Sequence, residues 1–268
     1  EYPASFDVLN NLQSYFGEGQ MLEIIPVFTN KHRNILVPQH LTPQLAQIFG
    51  YFLGDGNFEG RSLRFRDARM DVLNCYNQYF KELFNLSGTI TKVKGKNCFS
   101  LDINSSEVRE LFSFVLPNIL NEVARSKRDV VNAFIKGFVD AEGHINKKRA
   151  YITVVQKKSL VLRYMQMFLL RSGIRSTIKF DIGRKGINVL RIIDKDVIKY
   201  LQIGFTAEDK QTRLIGCVKS ILKTYSYEIT PVKRKELADL MRACGLKPYS
   251  IIRSRPDYYE CVSRKELA

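Results

Sequence analysis

Two short stretches of this 268-residue chain constrain its fold more than any other feature. Residues 48–56 read IFGYFLGDG, and residues 134–145 read FIKGFVDAEGHI. Each stretch is an apolar, glycine-containing segment suited to a helix, and each ends in an acid followed by glycine. A carboxylate is disfavoured at the C-terminal end of a helix because the helix dipole is negative there. The chain places one there twice, Asp55 and Glu142, so a compensating positive charge is expected nearby.

The spacing of small residues indicates how the two stretches pair. Gly50 and Gly54 lie four residues apart on one helical face, and Gly137 and Ala141 have the same spacing. Small residues at this spacing allow two helix backbones to approach almost to contact. We therefore predict that the two helices pack on each other and that their C-terminal ends lie side by side.

A divalent cation would make this arrangement of acids favourable. Two neighbouring carboxylates repel each other, and the last carbonyls of a helix have no intrahelical partner. Carboxylate and carbonyl oxygens are the ligands that Mg²⁺ takes. We predict a Mg²⁺ site, or one for another divalent cation, formed by Asp55, Glu142 and the carbonyls of Gly54 and Ala141. A single GDG sequence is more simply a helix cap and turn, but two copies favour the metal site.

The elements that follow the two acids recur in the same order. Hydrophobic periodicity predicts a strand, a helix, two strands and a short helix after each acid. The first set covers 62–66, 68–86, 88–95, 97–104 and a helix from Ser105 or Ser106; the second covers 151–156, 158–172, 175–183, 186–193 and 194–204. Both halves therefore read as helix–β–β–helix–β–β–helix units.

The repeats divide the chain into four predicted parts. These are an N-terminal extension (1–40), a first repeat (41–126), a second repeat (127–228) and a C-terminal helical module (229–268). In the last part, Thr230 followed by Pro231 is typical of the start of a helix.

The charge of the chain indicates its partner. Lys and Arg number 42 against 27 Asp and Glu, which gives a net charge of +15 and a pI near 9.6. Such a balance favours nucleic acid, with a ribosome-associated protein or a thermophile's charged surface as alternatives. The five cysteines include no CxxC pair, which argues against a zinc finger or a disulfide framework. No apolar run reaches the roughly 20 residues of a membrane span, so we expect a soluble, intracellular protein.

These motifs resemble those of the LAGLIDADG homing endonucleases in their single-chain, two-motif form. The segment IFGYFLGDG resembles the first motif, with Leu53 where the family usually has an acid, and IKGFVDAEG resembles the second, with Glu142 replacing the final Asp. The resemblance covers about residues 41–225. It implies an α+β fold of two pseudo-two-fold-related αββαββα units, whose motif helices form the interface. Their two antiparallel sheets are expected to form a saddle over the DNA major groove.

The resemblance also implies an activity. Such a protein acts as a monomer and makes a metal-dependent double-strand break in a long, non-palindromic DNA target, as in intron or intein homing. Gln156 matches a glutamine that orders water in the family, although a polar residue leading into a turn explains it equally well. Its nearest counterpart in the first half is Asp67. Family members place a basic residue near the end of the fourth strand, which suggests Lys195, with Lys94 or Lys179 as substitutes.

DNA recognition is expected from alternate residues of the strands, because a two-stranded ribbon fits the major groove and Arg and Lys bind base edges there. The candidates are Arg61, Arg64, Arg66, Lys92, Lys94 and Lys96 in the first half, and Lys147, Lys148, Arg149, Lys179, Arg184, Lys185 and Arg191 in the second. Any one of them alone is explained as a solvated surface charge. As a set on predicted strands, they favour contact with double-stranded DNA.

Three other functions are compatible with parts of this pattern. An intron maturase or a non-cleaving DNA-binding regulator would share the fold, and a basic structural protein of the ribosome or chromatin would share only the charge. The presence of both Asp55 and Glu142 argues against the regulator and leaves the maturase open.

Overall fold

The computed structural model describes residues 35–36, 38, 40–146, 150–180, 186–224, 229–233, 239, 242–245 and 261–263. The chain forms two compact units, Glu1–Ile215 and Gly216–Ala268, so both motif segments belong to one unit. Within the described residues, no helix is long and apolar enough to cross a membrane.

The predicted repetition of elements is confirmed. The first repeat consists of α1 (Pro43–Asp55), β1 (Asn57–Glu59), β2 (Ser62–Asp67), α2 (Met70–Phe84), β3 (Thr89–Lys92), β4 (Phe99–Asn104), α3 (Ser106–Val115) and α4 (Ile119–Arg125). The second consists of α5 (Arg128–Glu142), β5 (Gly143–Asn146), β6 (Tyr151–Gln156), α6 (Ser159–Arg171), β7 (Thr177–Lys179), β8 (Asn188–Ile192), α7 (Lys195–Lys199), a 3₁₀ turn (Tyr200–Gln202) and α8 (Glu208–Thr224). The short helix α4 and the first strand of each sheet were not predicted separately.

Each repeat contains one four-stranded sheet of the same topology. The strand orders are β1-β2-β4-β3 and β5-β6-β8-β7, and every pairing within them is antiparallel. The α+β class with two antiparallel sheets is thus as predicted.

Local sequence explains where the elements form and which face they bury. Thr42 caps α1 by accepting a hydrogen bond from the Leu45 backbone N–H at 3.2 Å, and Pro43 occupies the first helical position. Along β2, Leu63 and Phe65 are buried, while Arg64 and Arg66 alternate with them and face the other way.

Aromatic side chains fill the space between helices and sheet in the first repeat. The ring of Phe49 on α1 lies 4.4 Å from that of Phe112 on α3, and the ring of Phe52 packs edge-on against Phe65 of β2 at 5.4 Å. Such offset and edge-on contacts contribute to stability beyond the area they bury. They hold α1 at a defined position on the sheet, which also positions the acid at its end.

One prediction for the C-terminal part is wrong. Residues Ile229–Lys233 form a strand, β9, paired antiparallel with Cys261–Ser263, which is β10. The segment contains Ile229, Thr230 and Val232, whose β-branched side chains favour a strand, and a proline is tolerated in a sheet edge. Most of the predicted N-terminal extension lies outside the described residues.

Candidate active site

The two motif helices touch at the level of their backbones. A methyl group placed on Gly50 would overlap the carbonyl oxygen of Phe134, and one placed on Gly137 would overlap that of Gln47. At Gly54 a methyl group would lie 2.7 Å from the Cβ of Ala141. The glycine spacing therefore does what the sequence predicts, and it brings the ends of α1 and α5 together.

The residues that follow the two acids must be glycines, because a side chain at either position would clash with the last turn of its helix. Gly56 and Gly143 both have negative φ, −75° and −82°, which any residue can adopt. A methyl group at Gly56 would overlap the ring of Phe52, and one at Gly143 would overlap the carbonyl oxygen of Val139. The chain thus leaves each helix by passing close over its last turn.

The structure brings Asp55 and Glu142 into one electrostatic environment. Burial, followed by the charge of Asp55, raises the pKa of Glu142 to about 7. The side chain of Asp55 remains exposed to water, yet surrounding protein atoms and then Asp67 raise its pKa above the usual value. Both acids are therefore destabilised as anions, the condition that a bound cation relieves.

The donor set fits a divalent cation whose coordination is completed from outside the protein. In the described part of the chain, no three His, Cys, Asp or Glu side chains cluster as a metal site. Asp55 and Glu142 thus supply only two carboxylates, and Gly54 and Ala141 supply carbonyls of the last helical turns. Mg²⁺ commonly binds one or two carboxylates and takes water and phosphate oxygens at its other positions.

Gln156 lies beside the second acid. Its Nε2 donates a hydrogen bond to Oε1 of Glu142 at 3.0 Å, and its Oε1 accepts one from the Lys157 N–H at 2.9 Å. The amide is thereby held at the end of β6 in one orientation. The contact places the predicted water-ordering residue next to a predicted metal ligand.

The corresponding strand end of the first repeat is built differently. Asp67 ends β2 and accepts hydrogen bonds from the Tyr51 hydroxyl at 2.7 Å and from Arg69 Nη2 at 2.7 Å and Nε at 2.8 Å. Although burial acts in the opposite direction, these bonds hold the pKa of Asp67 below its usual value. Asp67 is therefore an anion that fixes Tyr51 and Arg69 near the end of α1.

Lys210, at the start of α8, is the site residue that sequence reasoning missed. Its Nζ donates to the carbonyl oxygens of Asp140 at 2.5 Å and Val139 at 3.4 Å, and Arg69 Nη2 also donates to that of Asp140 at 3.3 Å. The chain itself thus places two cations at the negative end of α5. Burial raises the pKa of both Asp55 and Glu142, and the charge of Lys210 opposes part of that rise.

The position of Lys210 is set by a buried acid. Both carboxylate oxygens of Asp140 accept from the Thr206 N–H, at 3.0 and 3.1 Å, which fixes the segment leading into α8. Burial, followed by the charge of Arg69, lowers the pKa of Lys210 to about 8. Asp140 belongs to the second motif. The one signal in the sequence that pointed to the segment carrying Lys210 was therefore that this acid, once buried, needs a hydrogen-bond partner.

Lys195 does not lie beside Glu142. Gln156 pairs with Asn188 at one end of β6 and β8, and Ile152 pairs with Ile192 at the other. Four residues of strand separate these ends by about 13 Å, and Lys195 follows Ile192. The structure therefore brings Lys210 to the end of α5, while the strand register places Lys195 beyond the end of β8 that lies farther from Gln156. Of the substitutes, Lys179 is nearer in register, because it is opposite Val189 and so level with Val155, but it lies on β7, two strands away from β6. Lys94 lies in the β3–β4 connection.

The outward face of the first sheet carries part of the predicted basic set. Arg64 and Arg66 face outward, but Arg64 Nε donates to Asp102 at 2.5 Å and its Nη1 pairs with Glu59. Side chains alternate between the two sides of a strand, so Lys92 lies on the same side of the sheet as Ile90. It does not lie on the outward face, where it was predicted to contact DNA. Exposed positions in the connections between strands are occupied by Arg61, Lys94 and Lys96.

The second sheet presents Arg191 and Lys179 outward. The Arg191 guanidinium lies over the ring of Tyr151, 4.7 Å from its centroid. His144 and Asn146 of β5 share this face, and Asn146 Nδ2 donates to the Tyr151 hydroxyl at 3.1 Å. Sequence reasoning missed them because it selected only charged residues. The remaining candidates, Lys147, Lys148, Arg149, Arg184 and Lys185, lie outside the described residues.

Comparison with known proteins agrees with this architecture. A LAGLIDADG-like domain model matches residues 42–114 and 129–202, that is, both repeats. The homing endonuclease I-DmoI of Desulfurococcus mucosus is 30% identical over 171 residues, covering 58% of this chain and 84% of that protein. The solved structure of a variant of I-DmoI with its target DNA and manganese has a TM-score of 0.50 at 23% identity, covering 64% of this chain and 97% of that one.

The chain therefore belongs to the LAGLIDADG family. A second relative, the glutamine–fructose-6-phosphate aminotransferase of Methanocaldococcus jannaschii, is 34% identical over 222 residues. That match covers 76% of this chain but only 20% of the aminotransferase, so the chain spans about a fifth of that relative's length.

Proposed function

We propose that this protein is a site-specific DNA endonuclease of the homing type, which makes a metal-dependent double-strand break in a long, non-palindromic target. The observation that carries the proposal is the junction of α1 and α5, where Asp55 and Glu142 lie close enough for their charges to interact with each other and with that of Lys210. Acids with raised pKa values beside a fixed cation are typical of a catalytic site. A purely structural helix cap gives no reason to place two of them together.

The side chains of the site have separable roles in phosphodiester hydrolysis. A divalent cation bound by Asp55 and Glu142 would supply charge that neutralises the phosphate as the bond breaks. Gln156 holds the Glu142 carboxylate in place and can order water beside it. Lys210 provides a fixed positive charge for the negative charge that develops on the phosphate.

Double-stranded DNA is the partner that the charges and faces support. The net charge of +15 suits a polyanion, and each repeat presents polar and basic side chains on one face of its sheet. The I-DmoI structures contain target DNA with manganese, magnesium or calcium, which supports a divalent cation here without selecting Mg²⁺. The two faces differ in nearly every side chain, so a single chain, acting as a monomer, would read two unlike half-sites.

The first experiment is selection of cleaved sites from a randomised DNA library in Mg²⁺ or Mn²⁺. We expect Asp55→Asn and Glu142→Gln to abolish double-strand cutting while target binding persists. Glu82→Gln, a change to an exposed acid on α2, is the matched control and should cut normally. Binding without nicking or cutting in any divalent metal would exclude the enzyme and favour a regulator or a maturase. Variants that fail to fold would show that the acids are structural.

A further inference from the structure

An apolar pair interrupts the polar outward face of the second sheet. Val155 of β6 and Val189 of β8 are directly opposite each other in the register. Their chain neighbours Val154 and Leu190 are buried on the other face, so both valines point away from the core. Val155 is 41% exposed, although it lies in the middle pair of strands.

The surroundings of the pair suit a nucleic acid. Lys179 is directly opposite Val189 on β7, and Arg191 follows two residues along β8 on the same face. The two valines thus form a small apolar surface bordered by cations. Cations can hold a phosphate backbone, while apolar groups can contact only the apolar part of a base.

The pair lies near the candidate active site. Val155 immediately precedes Gln156, whose amide donates to Glu142. Because adjacent strand residues are only about 3.3 Å apart along the chain, DNA lying on this face would meet the valines close to the bonds proposed to be cut.

The first repeat has polar residues at the equivalent positions. Asp67 ends β2 as Gln156 ends β6, and the two sheets have the same strand order. The residues that correspond to Val155 and Val189 are therefore Arg66 and Ser100, which are also paired. One half offers the exposed guanidinium of Arg66 beside a buried serine, where the other offers two methyl-bearing side chains.

Base chemistry distinguishes these two surfaces. The thymine 5-methyl is the apolar group on the major-groove edge of the base pairs, whereas arginine prefers the O6 and N7 acceptors of guanine. We propose that Val155 and Val189 form a contact for thymine methyl groups next to the cleavage position in one half-site, and that Arg66 requires an acceptor-bearing base at the equivalent place in the other. This inference rests on the proposed endonuclease function and specifies its target.

The test uses the full chain and a cleaved target obtained by library selection. Each thymine of the target is replaced in turn by deoxyuridine, which removes the methyl group and leaves the base pairing unchanged. In one half-site, at one or two positions next to the cleavage position, removal of each methyl group should reduce the affinity of the protein for the target about four-fold. Replacement at thymines of the other half-site should have no such effect.

A double variant connects the effect to these side chains. Val155→Ser with Val189→Ser removes every methyl group from the two side chains, whereas threonine would keep one that can still contact thymine, and the double variant should bind the thymine and deoxyuridine targets equally. Leu170→Gln, a change to an exposed leucine on α6, should retain the sensitivity of the unchanged protein. Binding that is insensitive to deoxyuridine at every position, or sensitivity that persists in the double variant, would overturn the inference and leave the endonuclease function intact. A protein that cuts no DNA would overturn both.

Discussion

The contact between the motif helices can be tested by adding one methyl group. In Gly137→Ala, the new Cβ would overlap the carbonyl oxygen of Gln47 and lie 2.9 Å from the backbone nitrogen of Tyr51. Both obstacles are helix backbone atoms, which cannot rotate away as a side chain can. The only relief is separation of α1 from α5, and with it separation of Asp55 from Glu142.

The magnitude follows from two opposing effects. Overpacking costs about 1–3 kcal/mol, and rigid obstacles place this site at the upper end. Alanine stabilises a helix by about 1 kcal/mol relative to glycine. We therefore expect a net loss of about 2 kcal/mol in the free energy of unfolding. For a folded unit of this size, that loss lowers the melting temperature by about 4–8 °C.

The assay is urea and thermal unfolding followed by circular dichroism, together with cleavage of the selected target. Gly54→Ala is the comparison, because its methyl group would meet the side chains of Ala141 and Glu142 at 2.7 and 3.0 Å. The Ala141 Cβ is fixed by its helix backbone, but it lies farther from the new methyl group than the Gln47 oxygen does in Gly137→Ala. Gly54→Ala should therefore cost less stability and should reduce cleavage by displacing Glu142. A Gly137→Ala protein as stable as the original, or more stable, would show that the backbones do not touch.

Three further outcomes follow from the site. The pKa of Glu142 is about 7, above its usual 4.5, so the folded state binds this proton more tightly than the unfolded state does. The free energy of unfolding of the metal-free protein should therefore fall as the pH rises from about 4.5 to about 7. Urea titrations at stepped pH will measure this fall, which should be smaller in Glu142→Gln, where only the raised pKa of Asp55 still contributes. Lys210→Met should reduce cleavage by about 10²-fold with target binding retained, whereas Lys195→Met should cut normally; equal losses would contradict our assignment. Asp67→Ala leaves Arg69 without its buried partner and should lower the free energy of unfolding by about 3 kcal/mol; a change below about 0.5 kcal/mol would show that this ion pair contributes little.

Much of this molecule was predictable because its strongest signals are local. Apolar residues that recur every two residues identify strands, and those that recur every three to four residues identify helices, without knowledge of what these elements pack against. The duplicated motif identified the repeat. The glycine spacing then required a close helix pair, since little else would favour Gly50 and Gly137 within helices.

Local patterns failed where packing or pairing decided the outcome. Thr230 and Pro231 resemble a helix start, but residues 229–233 pair with a strand about 30 residues further along the chain. Lys92 was selected as one of the alternate basic residues of a predicted strand, whereas its pairing with Phe99 determines which side of the sheet it lies on.

The sequence by itself determined the two-repeat architecture, the meeting of the motif helices and the acids at their ends, because those depend on residue types at short, fixed spacings. Only the tertiary structure decided which cation accompanies the acids. Lys210 and Lys195 are both lysines beyond the second motif, and nothing in their immediate sequence distinguishes them. The register of β6 and β8 places Lys195 away from Gln156 and Glu142, and the hydrogen bonds between Asp140 and Thr206 place Lys210 at the end of α5. Those interactions join residues far apart in the chain, so they exist only once the fold has formed.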